Sequence, residues 1–362
     1  MDNLYAVIFA GGVGSRLWPV SRTSQPKQLK PFLGDDDTLL KRTWKRISKL
    51  LPPERIYVST VVGLGDEISG QLPELVADNL ILEPELRNTT AAIGLATTVI
   101  NQKDSKAMII NLWADHHYRD EVGFIAAVKK CYKFLKVQPP IIIGVGMPIE
   151  FPYSGYGYLE VDPQEVTKDI YRVCSFKEKP SLEQARNYMD AGNYYWNAAL
   201  FMWPAKHMLE LYKELVPEMY RGLQEIELAW PTKKRKQILD RVYPEFTKIA
   251  VDYAIMEKSP EMYLVDAGDL GWKDVGSWQS IHDILKKDTN GSISVKGKGV
   301  VTNSKDILIF NEDEDKLVTV VGLEDVAVVN TKDAILVVKK SRDQEVKDLV
   351  LELEKSHFTG YL

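Results

Sequence analysis

At 362 residues, 45% hydrophobic and 27% charged, the chain has the make-up of an ordinary globular protein and the length for one large domain plus a smaller one. A formal net charge of -5 offers no general field for a polyanion, which excludes nucleic acid as a partner and makes any phosphate binding local. Two cysteines, Cys131 and Cys174, lie far apart without metal-ligand spacing, which predicts a reducing compartment and two structural thiols.

Residues 4–10 form an apolar run that stops at Gly11, the pattern of a central strand buried on both faces. The run is too short to cross a membrane and has no signal-peptide pattern, so a cytoplasmic protein is expected. Similar runs recur at residues 55–59, 79–82, 107–111 and 140–145, the last followed by Gly146. Between them, residues 39–50, 89–102 and 121–135 read as helices, the third with Phe124, Ala127, Val128 and Leu135 at helical spacing. This alternation predicts an α/β domain over residues 1–290 with a parallel, doubly wound sheet, which binds ligands at the carboxyl ends of its strands.

From residue 291 the pattern changes. Short β-branched runs at 300–301, 307–310, 317–321, 326–329 and 335–338 are separated only by turn residues, predicting a small β-helix-like domain over residues 291–362. Its strand edges are a candidate dimer surface. Residues 343–355 read as a terminal amphipathic helix, with Val346, Leu349, Val350 and Leu353 on one face. The basic runs Lys233-Lys234-Arg235-Lys236 and Lys339-Lys340 are expected on solvated faces.

The chemistry concentrates after the first strand, at Ala10-Gly11-Gly12-Val13-Gly14-Ser15-Arg16. Glycines permit positive φ and close backbone approach, so successive N–H groups can face a polyphosphate while Arg16 adds a forked cation and Lys27 a second charge. Leu17 stands where a dinucleotide fingerprint needs glycine, and the Gly-Lys-Ser/Thr of a P-loop is missing. Asp115, just after a strand, and Asp274, in the turn-rich Gly271-Trp272-Lys273-Asp274-Val275-Gly276, are candidate Mg²⁺ ligands, because that ion takes a few carboxylates and completes its shell with phosphate and water. His116 and His117 are neighbours in sequence and cannot easily share a tetrahedral zinc ion. In Phe176-Lys177-Glu178-Lys179-Pro180 a lysine can meet a phosphate, while Tyr156-Gly157 and Trp196-Asn197 offer aromatic faces, close approach and an amide to a sugar. No nucleophile, base and orienter form a triad. A sugar phosphate is already largely a dianion at neutral pH and asks mainly for alignment and charge neutralisation.

Together these segments resemble the sugar nucleotidylyltransferase family, and within it the branch that joins mannose 1-phosphate to GTP. The resemblance spans nearly the whole chain. It rests on residues 9–22 with Pro26-Lys27-Gln28, on Glu83-Pro84 through Arg87-Asn88-Thr89, on Ala114-Asp115-His116, on Gly155-Tyr156-Gly157-Tyr158, on Phe176-Lys177-Glu178-Lys179-Pro180 and on residues 272–278. It implies a Rossmann-like α/β/α domain followed by a left-handed β-helix segment. The implied reaction takes GTP and α-D-mannose 1-phosphate to GDP-mannose and pyrophosphate with Mg²⁺; a homodimer is expected only from the exposed strand edges of the β unit. By the same resemblance Ala10, Gly11, Gly12, Gly14, Ser15, Arg16 and Lys27 would hold the GTP phosphates, with Glu83, Arg87, Asn88 and Thr89 near guanine and ribose. Asp115 and Asp274 would bind the metal, and Gly146, Tyr156, Gly157, Glu178, Lys179, Asn197 and Asp274 would line the sugar phosphate site. Arg16, Lys27, Lys179, Asp115 and Asp274 would carry catalysis.

Two positions depart from the family pattern: Trp113 stands where proline is usual, and Trp196-Asn197-Ala198-Ala199-Leu200-Phe201 replaces Trp-Asn-Ser-Gly-Met-Phe, filling a glycine position. The sequence also ends where longer members add a phosphomannose isomerase domain, so a single activity is expected. The alternatives are another hexose 1-phosphate or nucleotide, and a regulatory subunit that binds nucleotide sugar without turnover.

Overall fold

In the computed structural model, which describes residues 1–12 and 14–362, the first strand β1 (Leu4–Phe9) is buried along its whole length. Val13, in the middle of the expected phosphate loop, lies outside the described residues. The strands that follow are β2 (Ile56–Val61), β3 (Leu80–Glu83), β4 (Met108–Trp113), β5 (His116–His117), β6 (Ile142–Pro148), β7 (Gly157–Thr167), β8 (Ile170–Glu178), β9 (Tyr194–Pro204), β10 (Met262–Asp266) and β11 (Lys273–Asp274).

The chain divides into two compact units. The first comprises residues 1–11, 44–113 and 118–272. Its nine-stranded sheet has the order β3-β2-β1-β4-β9-β6-β10-β8-β7. The expected parallel arrangement holds for β3, β2, β1 and β4 and for β6 with β10, but β9 runs antiparallel between β4 and β6, and β8 and β7 are antiparallel as well. The sheet is therefore mixed. Parallel neighbours need a crossover of a dozen residues or more, whereas Lys168 and Asp169 alone join β7 to β8, with Asp169 at φ 55° turning the chain back. Helix Asn88–Lys103 is buried from Thr90 to Ile100 on every face. It accommodates this through small residues: a Cβ on Gly94 would lie 2.7 Å from Tyr212 and 2.8 Å from Leu223. Trp203, Tyr212 and Tyr243 fill the centre of this unit's core.

The second unit comprises residues 12–43, 114–117 and 273–362. Its later strands are β12 (Ile293–Val295), β13 (Lys298–Thr302), β14 (Lys305–Asn311), β15 (Leu317–Val321), β16 (Glu324–Asn330) and β17 (Ile335–Lys339). Parallel ladders β12-β14-β16 and β13-β15 form the expected coils, and β17 turns back antiparallel to β16. Identical residues stack between coils, as at Asn311 and Asn330, where the Asn330 amide donates to Asn311 Oδ1 at 2.7 Å. Phe310 packs on Phe32 and Trp278, so the coil core is continuous with the segment after the glycine loop. A 3₁₀ stretch, Lys340–Glu345, leads into helix Val346–Lys355, which buries Val346 and rests Leu349, Val350 and Leu353 on the same core. Lys340 is not on a solvated face: it is 3% exposed and donates to the Asp306 carbonyl at 2.7 Å and to Asp325 Oδ1 at 3.1 Å.

No helix among the described residues is long and apolar enough to cross a membrane. Cys131 is buried and its thiol is pushed up to about 12 by that burial, while Cys174 is exposed rather than built into the core. Neither is an activated nucleophile.

Candidate active site

β5 and β11 are each two residues long, yet they assemble the carboxylates. Their antiparallel pairing sets His116 opposite Asp274 and His117 opposite Lys273, and the Val275 N–H donates to the Asp115 carbonyl at 3.1 Å. Between the carboxylates lies Lys27, 6% exposed, with Nζ 2.6 Å from Asp115 Oδ2, 3.6 Å from Asp274 Oδ1 and donating to the Val275 carbonyl at 3.0 Å. Burial alone would drive the Lys27 ammonium toward neutrality, but Asp115 and Asp274 outweigh it and hold the pKa above the usual lysine value. Burial likewise opposes ionisation of Asp115, yet Lys27, then His116, hold its carboxyl below the usual range. Both groups are therefore charged at neutral pH.

The glycine loop is built around this lysine. Gly14 has φ 70°, and a Cβ there would lie 2.8 Å from Lys27 Cγ and 2.9 Å from Ser21 Oγ, so only glycine fits. Ser15–Leu17 then form a 3₁₀ turn that presents Arg16. The Arg16 guanidinium lies beside the Asp274 carboxylate: a Cβ added to Gly276 would sit 3.0 Å from Arg16 Nη2 and 3.1 Å from Asp274 Oδ2. Its Nη1 donates to Gln344 Oε1 at 2.8 Å.

The same group fits a divalent cation. Ligand atoms of Asp115, His116 and Asp274 all lie within 4.8 Å of one another, and Asp274 Oδ1 is buried without a hydrogen-bond partner. An orphaned carboxylate oxygen next to a second carboxylate suits a hard ion such as Mg²⁺. In the sequence His116 shows only as a neighbour of Asp115; the two-residue strand pairing brings it to the same place as both aspartates.

The residues expected at the sugar phosphate converge in the first unit. Asn197 on β9 is in register with both Gly146 on β6 and Gly157 on β7, and Gly157 is in turn opposite Glu178 on β8. A Cβ on Gly157 would collide with Glu178 Oε2, so glycine there gives the carboxylate its place. Tyr156 stacks edge-on to Trp196 at 5.4 Å and leans on Trp272 at 4.8 Å. Lys179 follows β8 at φ 48° and pairs with Glu178 Oε1 at 2.8 Å. Burial lowers its pKa, but Glu178 outweighs burial and raises it. Asp252 is the residue the sequence does not single out. Burial, reinforced by the charge of Glu178, pushes its carboxyl up to about 6, and Lys179 partly offsets them. No motif in Ala250-Val251-Asp252-Tyr253 signals this; only the fold brings it to Glu178 and Lys179.

The two departures from the family pattern meet. Ala199 sits at φ 49°, a left-handed conformation that glycine takes freely, and its carbonyl accepts from Trp113 Nε1 at 2.7 Å and Asn111 Nδ2 at 2.8 Å. Its N–H donates to Asn197 Oδ1 at 2.8 Å, which fixes the asparagine amide.

The expected guanine and ribose residues are tied internally. Glu83 is buried and raised by that burial, with one oxygen accepting from Ser59 Oγ at 2.9 Å and the other from Tyr243 at 2.6 Å. Arg87 pairs with Glu85 and donates to the Phe246 carbonyl at 3.3 Å, while Thr89 Oγ1 accepts from the Val251 N–H at 2.8 Å. Asn88, at φ 65°, opens the buried helix and caps the Thr89 N–H at 2.7 Å. Ala10 is clamped to β2, its N–H on the Ser59 carbonyl and its carbonyl on Thr60 Oγ1, both at 2.9 Å. Gly11 and Gly12 have room: an added Cβ meets nothing closer than Leu86 at 3.5 Å for the former and nothing within 4 Å for the latter.

Comparison with known proteins shows the family. Residues 5–291 match the nucleotidyl transferase family, and residues 297–353 match the MannoseP isomerase/GMP-like beta-helix domain. The chain is 34% identical to the mannose-1-phosphate guanylyltransferase of Escherichia coli K12, over 98% of this chain and 74% of that protein. It is also 34% identical to the alginate biosynthesis protein AlgA of Pseudomonas aeruginosa, over 96% and 72%. A crystal structure from Thermus thermophilus, described as a mannose-1-phosphate geranyltransferase, superimposes with a TM-score of 0.86 at 28% identity and covers 97% of this chain and 99% of that one.

Proposed function

The chain belongs to the nucleotidyl transferase family, and from that premise we propose that it transfers GMP from GTP to α-D-mannose 1-phosphate, giving GDP-mannose and pyrophosphate. The observation that carries the proposal is the cluster in which Lys27 bridges Asp115 and Asp274 beside Arg16 at the end of the glycine loop.

A phosphate oxygen of mannose 1-phosphate attacks the α-phosphorus of GTP in line with the bond to the β-phosphate. That bond breaks and its electron pair leaves with pyrophosphate. Asp115 and Asp274, with His116 in reach, would hold Mg²⁺, which would supply charge neutralisation to the polyphosphate. Arg16 offers a rigid fork of donors to the same oxygens, and the backbone of Gly11, Gly12, Gly14 and Ser15 offers N–H groups. Lys27, permanently charged in its burial, keeps the two carboxylates together against their mutual repulsion. Glu178, Gly157 and Asn197 receive the sugar, and Lys179, made more basic by Glu178, steers its phosphate. No proton has to be removed from the nucleophile, so the work is positioning and electrostatic stabilisation.

Ala199 at its left-handed angle, bonded to Asn197, favours one further reading: a different hexose 1-phosphate at the same cluster. We propose in addition a cytoplasmic homodimer, for which the exposed Val300, Leu317 and Val321 of β13 and β15 offer a contact surface between copies. Pyrophosphate release from each of the four nucleoside triphosphates with mannose or glucose 1-phosphate tests the proposal. GTP with mannose 1-phosphate is expected to turn over fastest, and Arg16→Ala or Asp274→Ala is expected to cost on the order of 10²–10³ in rate. Wild-type turnover in either variant would contradict the assignment.

A further inference from the structure

Gln344 lies 328 residues from Arg16 in sequence, in the 3₁₀ stretch that follows the coils, and yet it accepts from Arg16 Nη1 at 2.8 Å. Its amide is oriented from behind: Nε2 donates to Asp343 Oδ1 at 3.1 Å, which turns Oε1 toward the guanidinium. Asp343 is itself buried at 3% exposure, and its other oxygen accepts from the Gln279 N–H at 2.8 Å, in the first turn of helix Trp278–Ile284. That helix begins four residues after Asp274. The stretch is anchored to the coils at its other end, where Lys340 binds Asp306 and Asp325 and Ser341 Oγ donates to Asp325 Oδ2 at 2.6 Å. A second strap runs from the end of the chain, as Trp18 Nε1 donates to the Tyr361 carbonyl at 2.8 Å, two residues beyond Arg16.

We infer that Gln344, oriented by Asp343, is a positioning residue for Arg16, and that the C-terminal β unit serves the reaction by aiming the loop cation rather than by touching substrate. A long, flexible side chain on a glycine-rich loop has many rotamers, and ordering it only when GTP arrives would draw on binding energy. Gln344 takes a donor on Nη1, while Nη2 lies on the Asp274 side of the fork, so the guanidinium plane is fixed between them before a polyphosphate arrives. A neutral amide is the suitable partner. A second carboxylate in its place, added to Asp274 on the other side, would compete further with the phosphate for the guanidinium charge and would face Asp343 with like charge.

This inference rests on Arg16 being a phosphate ligand in the proposed reaction. The test is a double-mutant cycle with Gln344→Met, which keeps length and removes the acceptor, and Arg16→Ala. Gln344→Met is expected to lower kcat about tenfold with KM for mannose 1-phosphate and the melting temperature unchanged, and to add less than about twofold in the Arg16→Ala background. Gln344→Glu is expected to raise KM for GTP. The same cycle, read in the equilibrium affinity for GTP, needs no turnover, so a failure of the transfer assay in the parent enzyme would count against the proposed function without deciding this point. Wild-type kcat and GTP affinity in Gln344→Met, or an equal loss with and without Arg16, would overturn it.

Discussion

Ala199 is where a single side chain most plainly costs the fold something. An L-residue at φ 49° carries Cβ strain of roughly 1–2 kcal/mol that glycine avoids, while glycine concedes about 0.5–1 kcal/mol in the unfolded chain. Three hydrogen bonds, from Trp113 and Asn111 to its carbonyl and from its own N–H to Asn197, hold it there. Ala199→Gly is therefore expected to stabilise the protein by about 0.5–1 kcal/mol in urea unfolding, and a loss of stability would show the angle to be relaxed. The replacement of glycine is visible in the sequence; its link to Trp113 is not, because the two are 86 residues apart and only the antiparallel entry of β9 beside β4 joins them. Lys27 is similar. Its charge is legible, but its burial between Asp115 and Asp274 depends on the pairing of β5 with β11, strands too short to leave a periodic signal.

Among the elements, those with strong local patterns are legible from residues alone. β1 as a continuous apolar run, the helix at 121–135 and the coil strands β13 to β17 have strong local patterns, and their bounds agree with expectation to within a residue or two, while the three-residue β12 lies outside the expected runs. The antiparallel strands β7, β8 and β9 depart from expectation, since alternating strands and helices imply parallel order and say nothing of a two-residue link at Lys168-Asp169. These strands bring together Gly157, Glu178 and Asn197, and the short helix Val251–Ala254 adds Asp252 to that cluster. Its raised pKa has a definite sign for stability. Folding favours the protonated carboxyl, so the contribution of Asp252 is full below the ordinary aspartate range near pH 4 and is lost as pH rises through about 6. Asp252→Asn removes this titration. Urea unfolding at about pH 4 and about pH 7.5 is expected to show the variant gaining on the parent at the higher pH, and a pH-independent difference would contradict the placement of Asp252 beside Glu178.

For the whole molecule, the expected site residues divide between the two compact units. The unit that carries the coils also carries Arg16, Lys27, Asp115, His116 and Asp274; the sheet unit carries Gly157, Glu178, Lys179, Asn197 and Asp252. The division does not follow the chain, since residues 12–43 and 114–117 leave the sheet to join the coils. A reading along the sequence sees a catalytic domain followed by an appendage, whereas the fold groups the later segment with residues 12–43, where Gln344 bonds Arg16. The central claim is transfer of GMP to a sugar phosphate, and the most direct measurement follows GTP labelled at the α-phosphorus in the presence of mannose 1-phosphate and Mg²⁺. The label is expected in GDP-mannose, with one unlabelled pyrophosphate released per molecule formed. Label that stays in GTP or bound nucleotide, with no pyrophosphate released, would contradict the account.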